Sequence, residues 1–196
     1  MSKSPPSFIA GIGGSAGSLN AYKALLDGLP SNIGAAYVIV SHMLPSASSQ
    51  LAEILSSHTK MRVFVAVDGM AIRADHVYVS SPDADVLIKN DAFKIVTPRT
   101  GRNRLIDLFF ISLAEAVGSR AIGILLSGSL NDGTEGCRQI KAKGGMIFAQ
   151  DSSAEFQGMS RSVQASGCVD SVLPPGKMGA ALKKLARRRD PGEKRG

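Results

Sequence analysis

The 196-residue sequence predicts an α/β fold, a doubly wound, mostly parallel sheet of Rossmann-like three-layer type with an antiparallel hairpin region in its middle. Three observations predict it. Short, wholly apolar runs alternate with helical patterns toward both ends of the chain, as expected of parallel strands buried on both faces. A glycine-rich turn directly follows the first run. The middle instead carries short strand-like segments separated by Asp-Gly and Asn-Asp turn signals.

In chain order, residues 8–12 (Phe-Ile-Ala-Gly-Ile) read as a buried strand, and 19–26 as the amphipathic helix behind it. Residues 35–40 (Ala-Ala-Tyr-Val-Ile-Val) form a second apolar strand, followed by a helix over 48–57 with Ser46, Ser48 and Ser49 as capping hydroxyls. Strand candidates at 61–67, 77–80, 86–89 and 93–96 follow, with Asp68-Gly69 and Asn90-Asp91 as turns, which predicts hairpins at an antiparallel edge or excursion. Residues 104–117 read as a long helix. Apolar runs at 121–126 and 146–149 are each followed by a helical pattern, over 134–143 and 158–165. The organisation expected is a flexible N-terminus (1–7), one domain (8–185) and a basic, disordered tail (186–196).

Composition narrows the class. A hydrophobic fraction of 44% and a charged fraction of 20% suit a globular core. No apolar run approaches the roughly 18 residues of a membrane span, and the N-terminus lacks a secretory h-region. Two cysteines, Cys137 and Cys168, are too few for a disulfide framework or structural zinc. The expectation is a cytoplasmic protein without membrane insertion. Of the net charge of +7, five units fall in the fourteen residues from Lys183 onward, so the body is nearly neutral. With Trp absent and three Tyr, no aromatic platform accompanies the basic tail, and nucleic acid is not expected as a partner.

Three turns that follow buried strands carry the chemistry. They contain Ser15 within Gly13-Gly14-Ser15-Ala16-Gly17, His42 after Ser41, and Asp132 within Asn131-Asp132-Gly133. The carboxyl ends of parallel strands share one edge, where ligands bind. Nucleophile, base and orienting carboxylate would converge there as a serine triad. Gly13-x-Ser15-x-Gly17 also has the spacing of a tight nucleophile turn. Taken singly, each residue has a plainer role: a helix cap, a structural histidine, a turn aspartate. Gly11-x-Gly13-x-x-Ala16 further resembles a dinucleotide-binding turn, although the second strand ends without the acidic residue such a site uses. Residue chemistry alone thus leaves a hydrolase, a nucleotide-binding protein and a non-catalytic scaffold open.

At these same turns the sequence resembles the catalytic domain of the chemotaxis protein-glutamate methylesterase family, the CheB type. Residues 9–17 look like its nucleophile turn, Ser41-His42-Met43 like its His-Met motif, and residues 126–133 like its Asp-Gly loop. Asp68-Gly69-Met70, residues 75–79, residues 148–151 and Gly158-Met159 also match, in the family's order. Residues 104–109 and 173–175 are closest to CheB domains fused to methyltransferases.

The resemblance implies a methylesterase that cleaves glutamate γ-methyl esters of chemoreceptor helices or of another methylated protein, extending to glutamine deamidation. It assigns Ser15 as nucleophile, His42 as base and Asp132 as orienting carboxylate, with backbone N–H groups near Ala16 and Ser129 as the oxyanion hole. Met43 and Met159 would line the pocket. It implies no metal and no organic cofactor. CheB proteins commonly carry an N-terminal receiver domain; with the body starting near Ser7, the expectation is action without one on this chain, or with a separate receiver or methyltransferase protein. Ser18, Ser129-Leu130 and Ser160 depart from the family pattern on the pocket and oxyanion side, which also admits a catalytically weak binding or regulatory module.

Overall fold

The computed structural model describes residues 5–42, 47–81, 84–100 and 103–189. Strands β1 (Phe8–Gly14) and β2 (Ala35–Ser41) are buried at every position, as their apolar sequences require. With β3 (Arg62–Val65), β4 (His76–Val79), β7 (Ala121–Leu125), β8 (Met146–Gln150) and β9 (Ser171–Leu173) they form a seven-stranded sheet in the order β3-β4-β2-β1-β7-β8-β9. Every pairing in that sheet is parallel. β5 (Asp85–Lys89) and β6 (Ala92–Val96) make a separate antiparallel hairpin. Its turn is Asn90-Asp91, at φ 53° and 59°, where short polar side chains tolerate left-handed backbone.

The middle of the chain therefore differs from expectation in one respect. Only β5–β6 is a hairpin; β3 and β4 lie parallel to each other and extend the main sheet. Turn residues such as Asp68-Gly69 are equally compatible with a parallel crossover, so local signals could not tell the two apart.

Helices cover both faces. α1 (Ser18–Gly28), α2 (Ala47–Ser56) and α6 (Pro175–Arg189) bury Tyr22, Leu25, Leu55, Met178 and Leu182 against Phe8, Ala10 and Ile12. On the other face lie α3 (Leu105–Val117), α4 (Thr134–Ala142) and α5 (Gly158–Ala165), with the hairpin. Ser46 and the side chains of Ser48 and Ser49, expected to cap α2, lie outside the described residues. α6 corrects the expected tail: it continues helical to Arg189, and Ala186 is buried.

Glycines in β1 set how closely α3 approaches. A Cβ on Gly11 would stand 2.7 Å from Phe110 Cε1, and one on Gly13 2.6 Å from Ile106 Cγ2. The Gly-x-Gly of β1 thus lets α3 lie directly on the central strand, with its first turn at the carboxyl edge of the sheet. Among the described residues no helix is long and apolar enough to cross a membrane.

Candidate active site

The register of the central strands brings the three chemistry-bearing turns together. Gly14 pairs with Ser41 and Gly13 with Leu125, so Ser15, His42 and the loop after β7 leave the sheet side by side.

The Ser15 turn is held by its backbone. Ser15 N–H donates to Ser127 O (2.9 Å), while Ser15 O accepts from Ser18 N–H (3.1 Å) and Ser18 Oγ–H (2.6 Å). Gly17 takes φ +68°, a left-handed conformation that favours glycine, and this starts α1 directly behind the serine. Buried Ser127 braces the turn from the other side. Its Oγ–H donates to Ala16 O (2.8 Å) and its Oγ accepts from Phe156 N–H (3.0 Å). Among the described residues Ser15 Oγ makes no hydrogen bond, and the amides of Ala16 and Ser129 donate none.

His42 Nε2–H donates to Asp132 Oδ2 at 2.7 Å. This fixes the neutral tautomer: the proton sits on Nε2, and Nδ1 keeps the lone pair of a base. The nitrogens thus exchange the roles they have in chymotrypsin-type triads, where Nδ1 faces the aspartate. Asp132 is 2% exposed, and its carboxylate accepts two further bonds, from Ile106 N–H to Oδ2 and from Asp107 N–H to Oδ1, both at 2.9 Å. It therefore closes the N-terminus of α3, whose own N-cap, Arg104, supplies no side-chain cap. Unsatisfied helix N–H groups and the helix dipole both favour a carboxylate there.

Ser15, Ala16 and His42 line one side of a cavity of about 340 Å³. Leu19, Leu51 and Ile54 supply an apolar wall, and Tyr22 and Ser41 also line it. Burial pushes the Tyr22 phenol up to about 12, the Ser18 and Ser41 hydroxyls pulling the other way. Asp107, behind Asp132, is likewise shifted upward, first by burial and then by the Asp132 charge, against the Gly136 N–H that it accepts.

The expected site residues are not all placed alike. Gly128 abuts the serine: a Cβ there would meet Ser15 Cβ at 3.3 Å, so the residue before Ser129 lies against Ser15. Met159 is a correction. At 1% exposure it belongs to the core, with its sulfur beneath Gly128, so it supports the loop and does not line the cavity. Met43 lies outside the described residues. Sequence reasoning missed the brace at Ser127, the apolar wall and the pairing of Asp132 with α3. Only Ser127 had a signal, its place in the third turn. Among the described residues, no group of three or more His, Cys, Asp or Glu could hold a metal ion.

A family model described as CheB methylesterase matches residues 10–182. The chain belongs to the CheB methylesterase family. Among curated relatives, a putative protein-glutamate methylesterase/protein-glutamine glutaminase of Leptospira interrogans is 33% identical over 166 residues, covering 83% of this chain and 86% of that protein. One from Myxococcus xanthus is 30% identical over 192 residues, covering 94% of this chain but 55% of its own length. The chain thus spans about half the length of several curated CheB relatives it matches. The crystal structure of the Thermotoga maritima CheB methylesterase catalytic domain superposes with a TM-score of 0.83 at 30% identity, covering 91% of this chain and 98% of that one. The parallel sheet and separate hairpin are those of a CheB catalytic domain.

Proposed function

We propose that this domain is a protein-glutamate methylesterase that hydrolyses glutamate γ-methyl esters through Ser15, His42 and Asp132. The observation that carries the reading is the 2.7 Å bond from His42 to buried Asp132, at a cavity the histidine shares with Ser15. Family membership and the names of the relatives support the substrate class.

In this mechanism the Ser15 hydroxyl attacks the γ-carbonyl carbon while His42 Nδ1 takes its proton. The imidazolium is steadied by Asp132. The tetrahedral oxyanion is met by the Ala16 and Ser129 amides, which have no competing acceptor among the described residues. Collapse breaks the ester C–O bond, and methanol leaves with the proton from His42. Water, deprotonated by the same Nδ1, then attacks the glutamyl-Ser15 ester and releases free glutamate and the serine. With a glutamine side chain the same sequence would release ammonia, the deamidase activity in the names of the relatives. The steps use side chains, backbone amides and water. The apolar wall suits the methyl group and the aliphatic stem of the side chain. A methylated chemoreceptor or another methylated protein is the substrate, in the cytoplasm, and a receiver or methyltransferase unit is the regulatory partner. The test is methanol release from receptor membranes carrying radiolabelled methyl esters. The wild type should release it and Ser15→Ala should not; release by both would remove Ser15 from the mechanism.

A further inference from the structure

α3 and α4 exchange their N-terminal caps. Neither helix is capped by a side chain at its own N-cap residue, Arg104 or Gly133. Asp132, just before α4, accepts the Ile106 and Asp107 N–H groups of α3. Asp107, in the first turn of α3, returns the bond by accepting Gly136 N–H of α4 on Oδ1 at 2.8 Å. Gly136 has no side chain where α4 presses on α3; a Cβ there would overlap Phe110 Cβ and meet Asp107 O at 3.1 Å. The loop ending in Asp132 is therefore clamped between two helix starts, and the Asp107 side chain is the half of the clamp that the triad does not itself provide.

We infer that Asp107 is a positioning residue for the reaction: by latching α4 to α3 it sets where the Asp132 carboxylate meets His42 Nε2. This rests on the triad reading above. Asp107 acts through Asp132 and its backbone neighbours; no hydrogen bond joins it to His42. Because Asp132 receives the Asp107 backbone N–H, a shift of α4 relative to α3 is passed straight to the carboxylate. Misplacing a catalytic group by an ångström can slow a reaction on the order of 100-fold. Behind the two carboxylates lies a polar cleft of about 420 Å³ that includes Arg104, Asn131 and Thr134. Water from it can satisfy Gly136 N–H when the latch is cut, so the fold should survive the loss.

The test compares Asp107→Ala, which removes the acceptor, with Asp107→Asn, whose amide oxygen can still accept from Gly136. Two readouts are used in the whole chain: kcat and KM for ester hydrolysis, and the proton NMR resonance of His42 Nε2–H. The expectation for Asp107→Ala is a fall in kcat of about 10- to 100-fold at nearly unchanged KM, with the resonance shifted or broadened by exchange. Asp107→Asn should restore both to near wild type. A wild-type kcat and an unmoved resonance in Asp107→Ala would overturn the inference. So would loss of both in Asp107→Asn despite a native melting curve. If Asp107→Ala fails to fold, Asp107→Ser, too short to reach Gly136, takes its place with the same expectations. Failure of the triad reading would look different: Ser15→Ala would retain turnover, while the resonance would still report whether the latch holds Asp132 on His42.

Discussion

Replacing Asp132 by Asn perturbs charge with almost no change of shape, and the structure sets the size of the response. The carboxylate accepts three hydrogen bonds, two on Oδ2 and one on Oδ1. An amide offers one acceptor oxygen. Turned toward the Oδ2 site it keeps the bonds to Ile106 and His42 and sets its NH₂ against the Asp107 N–H. Turned the other way it loses two bonds and forces His42 into the wrong tautomer, so the first orientation should dominate. The fold then loses about 1–3 kcal/mol for one unsatisfied buried N–H. Catalysis loses more, because the imidazolium formed on proton transfer no longer faces a negative charge. At an effective dielectric of about 20 that attraction is about 4 kcal/mol at roughly 4 Å separation. At about 1.4 kcal/mol per tenfold, this corresponds to a fall in kcat on the order of 10³-fold. Methanol release under saturating methylated substrate measures it, with a thermal melt alongside to separate the stability loss. A kcat within tenfold of wild type in a folded Asp132→Asn protein would refute the role of the carboxylate.

Three further outcomes follow from the same geometry. Ser127→Ala should lower kcat and destabilise the fold by about 1–2 kcal/mol, read by urea unfolding and ester hydrolysis, because it removes the brace between Ala16 O and Phe156 N–H. Gly13→Ala should destabilise by about 1–3 kcal/mol in the same unfolding assay, since its Cβ meets Ile106 and Leu125 inside van der Waals contact; a neutral result would show that α3 is free to move away. The Tyr22 phenol is raised from 10.0 to about 12 in the fold. The unfolded chain therefore gives up that proton first, and its contribution, complete below pH 10, is lost as pH rises toward 12. Urea unfolding at pH 9 and pH 11 should show a smaller loss for Tyr22→Phe than for wild type.

Much of the fold was legible in the sequence because its central strands carry their environment in every residue. β1, β2, β7 and β8 are apolar runs, and burial on both faces is the one setting that such runs satisfy in a parallel sheet. Their carboxyl ends could then be placed on one edge, and with them Ser15, His42 and the Asp132 loop. What was not legible is what depends on a distant partner. β9 is three residues long and half exposed, leaving almost no pattern to detect. α6 opens on Pro-Gly and is rich in basic residues, which obscures its buried stripe of Met178, Leu182 and Ala186, the last of them inside the expected tail. Met159 matched a family motif, yet its depth is set by Gly128, some thirty residues earlier in the chain. The exchange of caps between α3 and α4 is invisible for the same reason. An aspartate in a first turn signals a helix start, but nothing local says which helix it serves.

As the proposed nucleophile, Ser15 carries the glutamyl group as an ester during turnover. Acid quenching during turnover of a methylated receptor peptide, followed by mass analysis of the fragment containing Ser15, tests it most directly. The expected fragment is heavier by the acyl group of the substrate, a gain absent in Ser15→Ala and accumulating when water attack is slowed. Methanol release with no acyl group on that fragment under the same conditions, or an acyl group on another residue, would contradict it.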